Sequence, residues 1–159
     1  MDAHFDMSGV EPLYESIEQL PAAVSDELST AADAIGQRLR DAGAENAPVD
    51  MGQLRSDLHY VVEAVAEAIL IVRFGSNVDH AEPMEYGTDP FFPPPDELRG
   101  WAGRVLGDES LAFVVARSIA ERGIEAREYL ADALESEWSW IGDRIMTAIR
   151  RAFRKCGFT

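Results

Sequence analysis

His80 stands among Asp79, Glu82 and Glu85, one imidazole beside three carboxylates, a donor set that could hold a divalent cation. Nothing in that spacing fixes a coordination geometry. With 29 acids against 14 bases, chance neighbours of a histidine are usually carboxylates, so the group reads as a hydrated surface turn near a subunit contact and no metal ligand is assigned. Arg55 lies between Asp50 and Asp57. Its side chain is expected either to make a local ion pair, worth about 0 to 1 kcal/mol at the surface, or to bridge to a neighbouring subunit. The chain holds no GxGxxG, no P-loop, no GxSxG and no HExxH. It therefore offers no phosphate cradle, activated nucleophile or zinc motif. No catalytic or cofactor-binding residue is assigned and the chain is read as a non-enzyme; retention of a stoichiometric divalent ion after dialysis would revive a metal-dependent hydrolase.

The elements that must position these groups are legible from periodicity. A short helix is expected over Pro12 to Leu20, with Pro21 in the first turn of a longer one. In that longer helix Val24, Leu28, Ala31, Ile35 and Leu39 fall on one face and Gly43 is a plausible stop. Leu58 to Val65 and Ala68 to Phe74 read as a hairpin, with Tyr60, Val62 and Ala64 on one face and His59, Val61, Glu63 and Val65 on the other. Gly75-Ser76-Asn77 ends the second strand, and a third short strand is expected over Met84 to Tyr86. Pro90 to Pro95, with four prolines around Phe91 and Phe92, forms a stiff connector. Helices follow over Asp96 to Gly107, Glu109 to Arg122 and Ala126 to Phe153. In the last, Leu130, Leu134, Trp138, Ile141, Ile145, Ile149 and Phe153 step by three and four, which assigns Trp138 to the core and leaves Trp140 off the stripe as the better interface anchor.

These elements define an α+β fold, a small antiparallel sheet packed by a long N-terminal helix and C-terminal helices. Residues 1–10 lack periodicity and read as a flexible tail, leaving 11–159 as a single domain. A chain of 159 residues with 47% apolar content can bury one core. It has no apolar run near eighteen residues and no basic start followed by an apolar stretch, so neither a membrane span nor a secretory signal is expected. Cys156, the only cysteine, can form no intramolecular disulfide.

The formal net charge is −15, and Lys155 is the only lysine. An acidic, lysine-poor surface suits a salt-saturated cytoplasm, where screening at molar salt shortens to about 3 Å and suppresses self-repulsion. A haloarchaeal host is inferred; a GC-rich genome would explain the arginine but not the twofold excess of acid. Nonspecific binding to nucleic-acid phosphates is disfavoured, since it depends on clustered Lys and Arg. The cluster Arg150, Arg151, Arg154 and Lys155 reads first as a complement to a helix C-terminus, and second as a contact to DNA or an acidic partner.

One stretch carries a family resemblance. Ala47-Pro48-Val49-Asp50-Met51-Gly52-Gln53-Leu54-Arg55 resembles the alanine-proline-valine-aspartate-threonine-glycine-x-leucine-arginine run of HK97 gp10-like tail-completion, or neck, proteins of tailed viruses, with Met51 where threonine is usual. Glu85-Tyr86-Gly87-Thr88 is similar to that family's glutamate-aromatic-glycine-threonine segment. Gly123 to Ala133 is similar to its glycine-x-x-x-x-x-phenylalanine-leucine-x-x-alanine segment, with Tyr129 in place of phenylalanine and Ala126 where proline is frequent. The resemblance covers residues 20 to 135.

The resemblance implies a structural virion protein, made in the host cytoplasm and sited at the head-tail junction. It would form a ring, a hexamer by resemblance, between the head connector and the tail tube or terminator, with genomic DNA passing through without specific binding. Pro48, Asp50, Gly52, Arg55, Glu85, Tyr86, Gly87, Thr88, Phe91, Phe92 and Trp140 are the candidate interface residues. Two alternatives stay open: a tail-terminator ring capping the tube, and an acidic DNA mimic that sequesters a nucleic-acid-binding protein.

Overall fold

The computed structural model describes residues 10–48, 50, 52–66 and 69–158. Along the chain come α1 (Val10–Asn46), α2 (Gln53–Asp57), β1 (His59–Ala66), β2 (Ile69–Gly75), α3 (Ala81–Tyr86), α4 (Pro95–Val105), a 3-10 turn (Glu109–Leu111), α5 (Ala112–Arg122) and α6 (Tyr129–Lys155). The architecture is α+β, with the strands forming a two-stranded antiparallel sheet, as the sequence pattern predicts. The expected tail falls outside the described residues apart from Val10, which opens α1.

The chain groups into two compact units. The first holds α1 up to Arg38, the hairpin from Tyr60 to Arg73 and α6 from Glu137 onward. In it α1 and α6 run antiparallel. Lys155 Nζ lies 2.5 Å from Glu27 Oε1 at one end, and Arg38 pairs with Glu137 at the other. The Arg38 guanidinium sits 4.7 Å from the centre of the Trp140 ring, a cation–π contact. Between these clamps the buried side chains are mostly small: Ala31, Ala32 and Ile35 on α1, with Ile141, Ala148 and Ala152 on α6. Small residues let two helix backbones approach closely, at the short end of the usual 8 to 10 Å range.

That packing corrects two sequence expectations. Pro21 does not start a second helix: α1 runs through it for 37 residues. Proline removes only the bond to the carbonyl of Ile17, and here both residues are exposed, so water can serve that carbonyl. Trp138 is not core but 67% exposed, and Ile145 and Phe153 of the same stripe are exposed with it. In this unit the inner face of α6 is formed by Ile141, Ala148 and Ala152, and Trp138, Ile145, Met146 and Phe153 are turned outward.

The hairpin follows its predicted alternation in burial except at Ala64, which is exposed although the pattern places it on the face of Tyr60 and Val62. Tyr60 and Val62 on β1 and Leu70 and Val72 on β2 are half-buried, whereas Val61, Glu63, Val65, Ile69, Ile71 and Arg73 are exposed. Glu63 and Arg73 pair across the strands. Tyr60 lies against Gly36 of α1, filling the space a β-carbon would occupy there.

The second unit comprises Leu39–His59 and Phe74–Ser136. Ala47, Leu54, Leu58, Ala81 and Tyr129 form its core cluster, with Ala44, Val78, Met84 and Leu130 packed against it. Pro95 occupies the first turn of α4, where its missing N–H costs nothing. Asp108 accepts from the Ser110 amide at 2.8 Å and so starts the 3-10 turn. Met84 to Tyr86, expected as a strand, forms the end of α3 instead. Pro83 fits the first turn of a helix, where no donor is required. The strand-like pairing comes later, in the antiparallel bridge between Thr88 and Ile124.

Two helical glycines predict opposite outcomes for one chemical change. A β-carbon on Gly142 would meet nothing within 4 Å, so Gly142→Ala should stabilise by about 0.5 to 1 kcal/mol through helix propensity. Gly36→Ala should destabilise by about 1 to 3 kcal/mol despite the same propensity gain, because it overpacks against Tyr60. Thermal denaturation of the two variants should show midpoints on opposite sides of wild type.

Candidate functional site

The residues singled out around Ala47 to Arg55 are held at the end of α1. Gly52 precedes α2 with φ of 75°, a left-handed conformation that an L side chain adopts only with strain, so glycine is required there. Leu54 is buried. Among the described residues Arg55 makes no ion pair, with Asp50 and Asp57 engaged elsewhere. Its Nε donates to the Ala44 carbonyl at 2.6 Å and an Nη donates to the Glu45 carbonyl at 3.4 Å, so the guanidinium closes the carbonyl end of α1 and complements its dipole.

The two aspartates flanking Arg55 find other partners. Asp50 takes a two-pronged contact from Arg104, Nε to Oδ1 at 2.9 Å and an Nη to Oδ2 at 2.6 Å, which holds its carboxyl below the usual range. Asp57 accepts from Ser76 Oγ and from the Asn77 amide, both at 2.7 Å, and its carboxyl is likewise lowered, chiefly by the Ser76 hydroxyl. Asp57 and His80 line an open groove of about 420 Å³ with Gln53, Ser56, Val78 and Asp79. Among the described residues no group of three or more His, Cys, Asp and Glu side chains is placed to hold a metal ion.

Glu85 shows where the second motif spends its carboxylate. It is 4% exposed, the one charged residue buried among the described residues. Its oxygens accept from the amides of Leu130 at 2.8 Å and Ala131 at 3.0 Å, in the first turn of α6. That turn carries orphan donors and the positive end of the helix dipole, so a carboxylate there is doubly favoured. The backbone reinforces the contact. Arg127 N–H donates to Met84 O at 2.8 Å, Glu128 N–H to Glu85 O at 3.2 Å and Thr88 N–H to Ile124 O at 2.9 Å. Thr88 Oγ1 in turn accepts from the Ile124 amide at 3.1 Å.

Two glycines allow this pairing. A β-carbon on Gly87 would stand 2.6 Å from Ile124 O, and one on Gly123 would collide with Thr88 O. Both also have positive φ, 71° and 74°. The segment from Glu85 to Thr88 and the segment from Gly123 to Ala131, separate in sequence, are therefore one interlocked unit. The loop from Ala47 to Leu58 joins it through the core cluster, where Leu54 and Leu58 meet Tyr129.

Tyr129 itself is 1% exposed and its hydroxyl has no hydrogen-bond partner. Burial, then the nearby Glu85 charge, push its pKa up to about 12. A phenylalanine would fill this position without the unpaired hydroxyl.

The remaining candidates divide between surface and support. Tyr86 is 76% exposed, and Phe91 and Phe92 are exposed as well. Phe92 contacts Phe113 edge-to-face, with centroids 6.2 Å apart, beside exposed Val114. Pro48, Gly87 and Thr88 are half-buried; so is Trp140, which belongs to the first unit and lies under Arg38. The sequence reading missed Arg104 as partner of Asp50 and Ser76 as partner of Asp57, because such pairs depend on tertiary placement. The turn-forming Ser76-Asn77 was the only available hint.

The motif residues thus serve helix termini and one another: Arg55 closes the end of α1 and Glu85 caps the start of α6. In comparison with known families, residues 11–87 match the HK97-gp10-like family, described as "Bacteriophage HK97-gp10, putative tail-component". Over that stretch, just under half of the chain, the sequence is similar to that family. No curated protein and no solved structure matches the chain. No helix among the described residues is long and apolar enough to cross a membrane.

Glu85→Ala should destabilise by about 2 to 3 kcal/mol, since it strips the partner from two amides at a helix start, and chemical denaturation will read the loss. Tyr129→Phe should be neutral or stabilising by about 1 kcal/mol at neutral pH, because it deletes an unpaired buried hydroxyl. Above neutrality the tyrosine predicts a pH dependence. Below pH 10 both states keep the phenol proton; between about 10 and 12 only the unfolded chain ionises, so stability falls as pH rises. The loss across that window is about 3 kcal/mol, at about 1.4 kcal/mol per unit, and Tyr129→Phe should remove it.

Proposed function

We propose that this protein is a neck component of a tailed virion, a ring of identical subunits that joins the head connector to the tail and leaves a passage for the genome. The observation that carries this reading is the match of residues 11–87 to a family of tail components. The surface supports it. Tyr86, Phe91, Phe92, Phe113 and Val114 leave large apolar area outside the second unit, as a protein that works in an assembly would. In a ring, heterologous contacts close when the rotation per subunit is right. Asp50, Arg55 and the Glu85 segment rigidify the subunit, while Tyr86 and Phe92 contact its neighbours.

The net charge of −15 fits a conduit that DNA traverses without sticking, because a lumen lined with carboxylates repels phosphates. It also favours a host with a salt-rich cytoplasm, in which that charge is screened.

Antibody labelling of particles by electron microscopy in molar salt tests the placement. Label at the head-tail junction is expected; label at the distal end of the tail, or none on particles, would overturn the neck reading. Phe92→Glu should leave the subunit folded, with its circular dichroism unchanged, and should lower the yield of joined particles at least about tenfold. Full joining by that variant would remove Phe92 from the contact.

A further inference from the structure

Besides the outer face of the hairpin, the first unit carries two helical apolar surfaces that nothing among the described residues covers. One is the start of α1. Leu13, Tyr14 and Ile17 are all more than half exposed, and Leu20 is partly so. Gly157, just past the end of α6, lies near Ser16, its would-be β-carbon 3.9 Å from Ser16 Oγ. Since α1 and α6 are antiparallel, residues 10–15 overhang the end of α6; they and the turn and a half that follows, to Leu20, form an arm. The other surface is the outward stripe of α6, formed by Trp138, Ile145, Met146 and Phe153, all exposed. At about 1.5 Å per residue the stripe is about 22 Å long, and the part of α1 from Val10 to Val24 is about 21 Å long.

Charge distinguishes the two surfaces. The chain has no lysine or arginine before Arg38, and the arm carries Glu11, Glu15 and Glu18. Arg150 and Arg154 are exposed next to the α6 stripe, and among the described residues neither has a carboxylate partner. On the 3.6-residue period the arm's three acids border its apolar edge on one side, and Arg150 and Arg154 border the α6 stripe on the corresponding side. Face-to-face docking puts these flanks together only when the two helices run antiparallel. In that orientation Leu13 meets the Phe153 end of the stripe, Ile17 and Leu20 meet its middle, and Glu11 comes beside Arg154.

We propose that the α1 arm of one copy docks antiparallel on the α6 stripe of a second copy, as the subunit-to-subunit joint. The inference rests on the reading of this protein as a ring-former and names the surfaces that close the ring. Each copy offers one arm and one stripe, so the joint is heterologous and propagates from copy to copy. Gly142, exposed within the stripe, leaves room for the arm to approach closely.

Sedimentation velocity of the full chain, at 0.15 M (roughly physiological) and molar salt, tests this with Ile17→Glu, which spoils the arm, and Ile145→Glu, which spoils the stripe. Wild type should self-associate. Each variant alone should associate at least about tenfold more weakly, with an unchanged circular dichroism spectrum because both positions are exposed. A mixture of the two retains one intact joint per pair and should form a dimer that grows no further. Arg150→Glu with Arg154→Glu should weaken association in 0.15 M salt (roughly physiological), and Glu11→Arg with Glu18→Arg in the same chain should restore it. An oligomer indifferent to both apolar variants would overturn the arm joint and leave the neck reading standing. A wild-type chain that stays monomeric in both salts would overturn it too, and neck labelling of particles then decides separately whether the functional reading survives.

Discussion

The carboxylate of Glu85 on the first amides of α6 is the contact on which the second unit is organised. Removing a charge from water costs several kcal/mol unless its oxygens are matched. Here two amides and the end of a 27-residue helix match them. The consequence reaches beyond α6. To bring Glu85 to that point, α3 must stop at Tyr86, and the chain must pass Ile124 at a distance that only glycine at positions 87 and 123 allows. The motif Glu85-Tyr86-Gly87-Thr88 thus has one purpose per residue: a cap, an exposed aromatic, a close approach, and a bridge to Ile124 through both backbone and hydroxyl.

Where one residue meets one local requirement, the sequence was readable. The hairpin and the end of β2 at Gly75 followed from pleat geometry and turn chemistry. The readings that failed were those in which tertiary placement chose between two locally acceptable answers. Met84 to Tyr86 is short and apolar enough for strand or helix, and its partner, near Ile124, lies about forty residues downstream. The α6 stripe failed for another reason. Large apolar residues and alanines both repeat at helical spacing there, and size made Trp138 look like the inward face, whereas a close-packed helix pair prefers the alanines.

Electrostatics in this chain are mostly local. Of the pairs formed, Arg104 with Asp50, Arg117 with Glu121 and Arg99 with Asp96 are exposed and each contributes little on its own. Guanidinium groups also serve carbonyls and an aromatic ring, Arg55 at the end of α1 and Arg38 over Trp140. The fold is thereby held by fixed, short-range contacts that survive screening, while the unbalanced acid is left on the surface where salt can neutralise it.

Interior and exterior are linked by volume. A helix pair cored by alanine buries little apolar area per residue, so the first unit gains less from its own packing than a leucine-cored pair would. Such an interior leaves the large side chains, Trp138, Ile145, Met146 and Phe153, to contribute only when something else covers them. If the proposed joint forms, the area withheld from the core is what its neighbours would cover, and binding would add to the stability of the subunit. Such a subunit would take much of its final stability from assembly, and that coupling between folding and association suits a component that must wait for its place in a particle.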